Sequence, residues 1–240
     1  MTDTSGLGTI LGVWAHPDDE TYLCGGMMAR AVRSGNRVVC ITATRGELGS
    51  PDEERWPSGP SLAAVRTKEM ETALAALGVT EHIWLDYPDG GCATVDQDEA
   101  VRRVTALMAD VQPDTVLTFG PDGMTGHEGH KSVSAWVSDA FEEAAKPGAR
   151  LFHATATPEW AEVWVPRLEP FDVFLPGTPP ITPRGELAID YTLPDDMLDL
   201  KFRAIQAHES QVEGLVQVFG DRMREWMATE YFRLASERAI

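Results

Sequence analysis

The sequence predicts an α/β domain in which a parallel sheet is covered by helices on both faces. Three observations lead to this. Short apolar runs rich in β-branched and aromatic residues recur with helix-patterned segments between them. Glycine- or proline-rich turns (HPDDE, TRGELGS, YPDGG and GPDGMTGH) follow most of those runs. The 240 residues also suit one domain of this class, large enough to bury about three quarters of its extended surface.

The first run, TILGVWA at 9–15, reads as a buried strand. A helical segment at about 22–34 carries the chain to the second strand, RVVCITAT at 37–44. The next helix, about 61–78, has an apolar arc set by Leu62, Val65, Met70, Ala73, Leu74 and Leu77. HIWLD at 82–86 is the third strand and precedes a helix at about 97–111. TVLTFG at 115–120 is the fourth, and the helix after it, about 128–145, shows Val133, Val137, Ala140, Phe141 and Ala144 at helical spacing. ARLFHATA at 149–156 ends the alternation. Residues 158–184 hold seven of the sixteen prolines together with Trp160 and Trp164. This stretch is expected to be an irregular excursion within a single domain, 1–240, that either walls a pocket or forms a subunit contact of a homo-oligomer. A final helical pattern at about 195–219 contains HESQ at 208–211.

Composition narrows the function classes. A formal charge of −18 argues against nucleic acid, whose backbone is held mainly by Lys and Arg. Cys24, Cys40 and Cys92 form no CxxC pair, so neither a disulfide framework nor a cysteine zinc site is expected. The N-terminal stretch has no signal-peptide pattern and no run approaches a membrane span. The expectation is a soluble, cytoplasmic protein.

Ligands of open parallel sheets bind beyond the carboxyl ends of the strands, and the four turns above occupy that rim. His16 and Asp19 in HPDDE are spaced i, i+3, as are His127 and His130 in GHEGH. His130 is in register with the apolar stripe of its helix and points inward. His16, Asp19 and His130 together supply two imidazoles and one carboxylate, a three-ligand set that leaves coordination positions open. An acidic helix N-terminus and a capped helix would explain each motif separately. Their recurrence at two strand ends of one sheet favours a metal site.

With a metal present, Asp18 is placed to take a proton from water as general base. His127 is placed to stabilise an oxyanion, best as imidazolium, and Glu20 to orient the ligands. Arg66 and Glu69 fall in the middle of the second helix's apolar arc. They form either a buried ion pair with each other or a site where Arg66 binds substrate oxygens. Glu47 and Asp89, on rim turns, either hydrogen-bond sugar hydroxyls or serve as turn formers.

AHPDDE at 15–20 and GHEGH at 126–130 resemble the two signature motifs of the PIG-L/LmbE-like de-N-acetylases. Weaker agreement comes from TRGELG at 44–49, Arg66 with Glu69 before LGV, PDGG at 88–91 and HESQ at 208–211. The resemblance implies an LmbE-like fold: a Rossmann-like three-layer sandwich with a mostly parallel central sheet. It also implies zinc, with iron(II) as the alternative, held by His16, Asp19 and His130, with Asp18 and His127 catalytic. Glu47, Arg66 and Asp89 are implied as substrate-binding, and the partner as a small N-acetylated sugar or glycoconjugate. Many members carry an Asp before the last histidine, where this chain has Gly129. The expected activity is removal of an N-acetyl group from a glucosamine-type sugar. A non-haem Fe(II) oxygenase using the same triad and a non-catalytic sugar-binding protein are the alternatives.

Overall fold

The computed structural model describes residues 6–239. The five apolar runs form β1 (Ile10–Trp14), β2 (Val38–Thr42), β3 (Glu81–Trp84), β4 (Thr115–Thr118) and β5 (Arg150–Ala154). They are parallel and lie side by side in the order β3-β2-β1-β4-β5. Every residue of β1, β2 and β4 is buried, which is why these runs lack polar alternation. Two further strands, β6 (Ile189–Thr192) and β7 (Thr229–Glu237), extend the sheet beyond β5. β7 runs antiparallel to both β5 and β6, so the seven-stranded sheet is mostly parallel.

Helices α1 (Asp19–Arg33), α2 (Pro60–Leu77), α3 (Gln97–Val111) and α4 (Glu128–Ala144) each follow a strand. Strand order reverses at β1, so right-handed crossovers put α1 and α2 on one face and α3 and α4 on the other. The packing agrees: α1 contacts α2, and α3 contacts α4. The result is the Rossmann-like three-layer arrangement, with its topological switch between β1 and β4.

The C-terminal part differs from the sequence pattern. The proline-rich stretch begins with a regular helix, α5 (Pro158–Leu168). Pro158 is tolerated in the first turn, where its missing N–H leaves no bond unmade, and Thr157 caps the Trp160 N–H at 3.2 Å. The final helical pattern is two helices, α6 (Asp195–Ala207) and α7 (Glu209–Phe219), broken at His208. A short α8 (Arg222–Met227) leads into β7. Both α1 and α2 also pack on α6.

α1 is itself interrupted, with Cys24 outside helical geometry (φ −145°, ψ 16°). The amides released by the break, those of Gly26 and Met27, donate to the two oxygens of Glu230 on β7, each at 2.8 Å. The Lys201 ammonium on α6 completes this buried cluster, donating to Glu230 at 2.8 Å. A side chain at Gly26 would meet Leu193 at 2.2 Å, so only glycine lets α1 approach this closely.

Candidate metal centre and active site

The switch between β1 and β4 opens a crevice at the strand ends, and the two histidine motifs enter it from either side. Asp19 closes the HPDDE turn on itself, one carboxylate oxygen accepting from the amides of His16 (2.8 Å) and Ala15 (3.2 Å). His130 sits in the first turn of α4, buried, with its ring stacked on Phe119 (centroids 4.1 Å, 12°). Ligating atoms of His16, Asp19 and His130 all lie within 4.8 Å of one another.

The outer hydrogen bonds fix which ring nitrogens face inward. His16 Nε2 lies 3.2 Å from Asp89 Oδ1, and His130 Nδ1 lies 2.9 Å from the Gly123 carbonyl. Each of those nitrogens carries the proton, since its partner can only accept. The two lone pairs, His16 Nδ1 and His130 Nε2, then face each other at 3.0 Å, with Asp19 Oδ1 3.4 Å from His130 Nε2. Two lone pairs and a carboxylate converging in a buried space repel one another unless a cation lies between them. The donor set therefore fits a divalent metal.

Asp18 stands at the N-cap position of α1 but makes no capping bond, so the helix-cap reading does not account for it. Its backbone is left-handed (φ 111°, ψ −30°), a conformation that typically costs an Asp about 1–3 kcal/mol and concentrates at functional sites. Arg66 Nη2 holds the turn, donating to the Pro17 carbonyl (2.6 Å) and to Asp18 Oδ2 (3.2 Å). Burial raises the Asp18 carboxyl to about 6, with Arg66 pulling the other way. Glu20, fully buried, accepts from the Asp18 amide at 3.2 Å and so supports the same turn.

His127 Nδ1 is bonded to Thr125 Oγ1 (2.7 Å), and that hydroxyl also lies 3.0 Å from His130 Nδ1. Because His130 Nδ1 carries a proton, the hydroxyl accepts there and donates to His127, leaving the His127 proton on Nε2. Burial holds His127 below the ordinary histidine value. The neutral ring is thus favoured over the imidazolium expected from sequence.

The remaining sequence candidates have defined partners. Asp89 accepts from the Leu48 amide (3.0 Å) as well as contacting His16. Burial alone would raise its carboxyl, but the hydrogen bonds from the His16 ring and the Leu48 amide lower it to about 2. Glu47 accepts from the Asp89 amide at 2.9 Å and does not line the cavity described next. Arg66 and Glu69 take separate partners: Arg66 Nη1 donates to the Gly46 carbonyl (2.9 Å), while Glu69 accepts from the Ser210 amide and hydroxyl, both at 2.7 Å. The buried pair between them is not formed. Gly46 has φ 64°, and a Cβ there would meet Arg66 at 2.1 Å, which explains the glycine in TRGELG.

His16, Asp18, Asp19, Arg66, Asp89, His127 and His130 all line one cavity of about 600 Å³. Thr125 and the Lys201–Glu230 pair line it too and were missed in the sequence. Lys201 carried a readable signal, because it shares the buried face of α6 with Met197, Leu198, Ala204 and Ile205. Fully buried His208, which breaks the last helical pattern, stands 3.5 Å from Glu20.

A family model described as PIG-L, GlcNAc-PI de-N-acetylase, matches residues 11–141. A 1D-myo-inositol 2-acetamido-2-deoxy-alpha-D-glucopyranoside deacetylase from Thermobifida fusca is 31% identical, over 94% of this chain and 92% of that protein. The protein of the same name from Kineococcus radiotolerans is 36% identical over 59% of this chain, a match that spans 46% of that protein. Among solved structures, the N,N'-diacetylchitobiose deacetylase from Pyrococcus horikoshii shares the fold, with a TM-score of 0.63 at 22% identity over 97% of this chain and 87% of that one.

Proposed function

We propose, because this chain belongs to the PIG-L family of GlcNAc-PI de-N-acetylases, that it is a metal-dependent hydrolase removing an N-acetyl group from a glucosamine-type sugar. The observation that carries this reading is the convergence of two imidazole lone pairs and Asp19 beside an unconventionally folded Asp18. His16, Asp19 and His130 would hold the metal, zinc by donor chemistry, with iron(II) as the alternative. Bound there, the ion supplies Lewis-acid polarisation of the amide carbonyl and makes water more acidic.

The chain's own groups do the rest. Asp18, tethered through Oδ2 to Arg66, takes a proton from the attacking water and returns it to the leaving nitrogen. His127 donates Nε2–H to the oxygen that becomes negative as the carbonyl is attacked. In place of the direct sugar contacts expected from sequence, we assign positioning roles to the three rim residues. Arg66 sets the Asp18 carboxylate, Asp89 orients His16, and Glu47 holds the turn that carries Asp89. No helix among the described residues is long and apolar enough to cross a membrane, and three buried, unpaired cysteines support a reducing, cytoplasmic compartment.

The test is release of acetate and free amine from N-acetylglucosaminides by protein loaded with zinc or iron(II). Asp18→Asn should lose about 10²–10⁴ in turnover while retaining stoichiometric metal. Full activity of that variant, or oxygen consumption in place of acetate release by the iron form, refutes the assignment.

A further inference from the structure

The cavity extends well beyond the groups that act on the amide, and the added wall has a different chemistry. α5, the segment after it, α7 and α8 contribute Trp160, Phe171, Phe174, Leu215, Trp226 and Met227. The aromatic members form a connected surface. Trp160 meets Phe174 edge-on at 6.2 Å, and Phe219 behind the wall bridges Phe171 (5.8 Å) to Trp226 (5.9 Å). The one polar atom of the Trp160 ring is occupied, its N–H donating to the Trp226 carbonyl. Lys201 and Glu230, which also reach the cavity, are bonded to each other, and Glu230 accepts from two backbone amides as well. This wall therefore offers broad apolar area, with Asp172 and Gln211 the polar side chains that the same elements add to the lining.

A hydroxyl moved from water to such a surface loses bonds it does not regain, whereas alkyl or aromatic carbon gains by leaving water. The inositol in the names of the relatives above is a polyol, the kind of aglycone this wall suits least. A cavity of about 600 Å³ is in the range that encloses a drug-sized ligand, so a substrate larger than one acetamido sugar fits.

We infer that the substrate carries an apolar appendage, alkyl or aromatic, beside its amide-bearing sugar, and that the wall of Trp160, Phe174, Leu215 and Trp226 receives it. This rests on the deacylase reading for the sugar and the amide. The appendage is either the aglycone or a longer acyl chain, and the two are separable by experiment.

The experiment compares kcat/KM of the metal-loaded protein for methyl, phenyl and octyl glycosides of N-acetylglucosamine, and for the methyl glycoside with N-octanoyl in place of N-acetyl. The expected result is an advantage of about tenfold or more, chiefly in KM, for the octyl or the N-octanoyl compound. Which compound gains identifies the appendage. Phe174→Ser and Leu215→Asn should each shrink that ratio. Equal kcat/KM across the panel overturns the inference while leaving the deacylase reading in place. A second readout needs neither metal nor amide: titration of tryptophan fluorescence with octyl and methyl glucoside, the former below its micellar range. Saturation by octyl glucoside at about tenfold lower concentration supports the wall even if no amide is cleaved, in which case the deacylase reading fails alone. Identical titrations overturn the inference.

Discussion

Replacing Asp89 with alanine separates two roles for the same carboxylate. Its side chain is 8% exposed and its Oδ1 lies 3.2 Å from His16 Nε2, so the bond it makes is sheltered and charge-assisted. Bonds of that kind contribute about 1.5–3 kcal/mol, which corresponds to a loss of roughly 10- to 150-fold in metal affinity if the bond fixes the tautomer and aim of His16. Carboxylates that orient metal-bound histidines elsewhere are worth about 10–100-fold, so the two estimates agree. Asp89→Asn keeps an acceptor toward the ring but loses the charge, and should fall between wild type and Asp89→Ala. The assay is competition for zinc against a chromophoric chelator at fixed pH, run beside steady-state kinetics. A sugar-binding Asp89 gives the opposite split, with KM rising and zinc affinity unchanged. That outcome, or equal zinc affinity in all three proteins, refutes the orienting role.

Two further predictions concern stability. Burial, then the charge of Arg233, lower the His153 ring to about 4 from an ordinary 6.5, and neither ring nitrogen has a hydrogen-bond partner among the described residues. The unfolded chain therefore binds a proton that the folded chain refuses. Stability is unaffected above 6.5 and is lost as pH falls toward 4, by about 1.4 kcal/mol per unit. His153→Leu should flatten the pH dependence of urea unfolding over that window by roughly 3 kcal/mol in total, and parallel curves for the two proteins would contradict this. The Lys201–Glu230 cluster gives a double-mutant cycle. Glu230→Leu alone strands a buried ammonium and two α1 amides and should cost about 3–5 kcal/mol, whereas adding Lys201→Met should recover part of that loss. Strictly additive losses in urea midpoints would show that the pair is not coupled.

The parallel half of the sheet and its switch point were readable because β1 and β2 are apolar runs, β3, β4 and β5 each keep an apolar centre, and each rim turn carries Gly, Pro or Asp. The grouping of His16, Asp19 and His130 was readable for a related reason, since polar groups at i, i+3 interrupt those patterns at equivalent places. β7 was missed because Thr229–Glu237 puts a charged residue, Glu230, on its buried face beside Phe232 and ends in an exposed half, and the role of Glu230 depends on a helix break over two hundred positions away. α5 was hidden by its prolines, although Trp160, Trp164 and Leu168 are spaced as one helical face. The break at His208 has a tertiary origin, with the ring buried beside Glu20, and local propensity does not report such contacts. The rim residues were found by position, but their partners were not. For Asp89, sequence shows that a carboxylate lies on a rim turn and not that the His16 ring and the Leu48 amide stand beside it.

The break in α1 gives synthesis an order. His16, Asp19 and His130 lie within the first 130 residues, and the family model ends at residue 141. Glu230, which holds the released amides of Gly26 and Met27, lies 204 and 203 positions further along. Ser210, which pins Glu69, lies 141 positions beyond it. A ribosome therefore exposes all three proposed ligands long before it exposes the braces behind them. Until β7 emerges, the helix carrying Asp19 has an open seam about two turns past that residue. Emergence of β7 is thus what closes α1 behind the candidate metal centre, and a nascent fragment that ends before Glu230 lacks that brace.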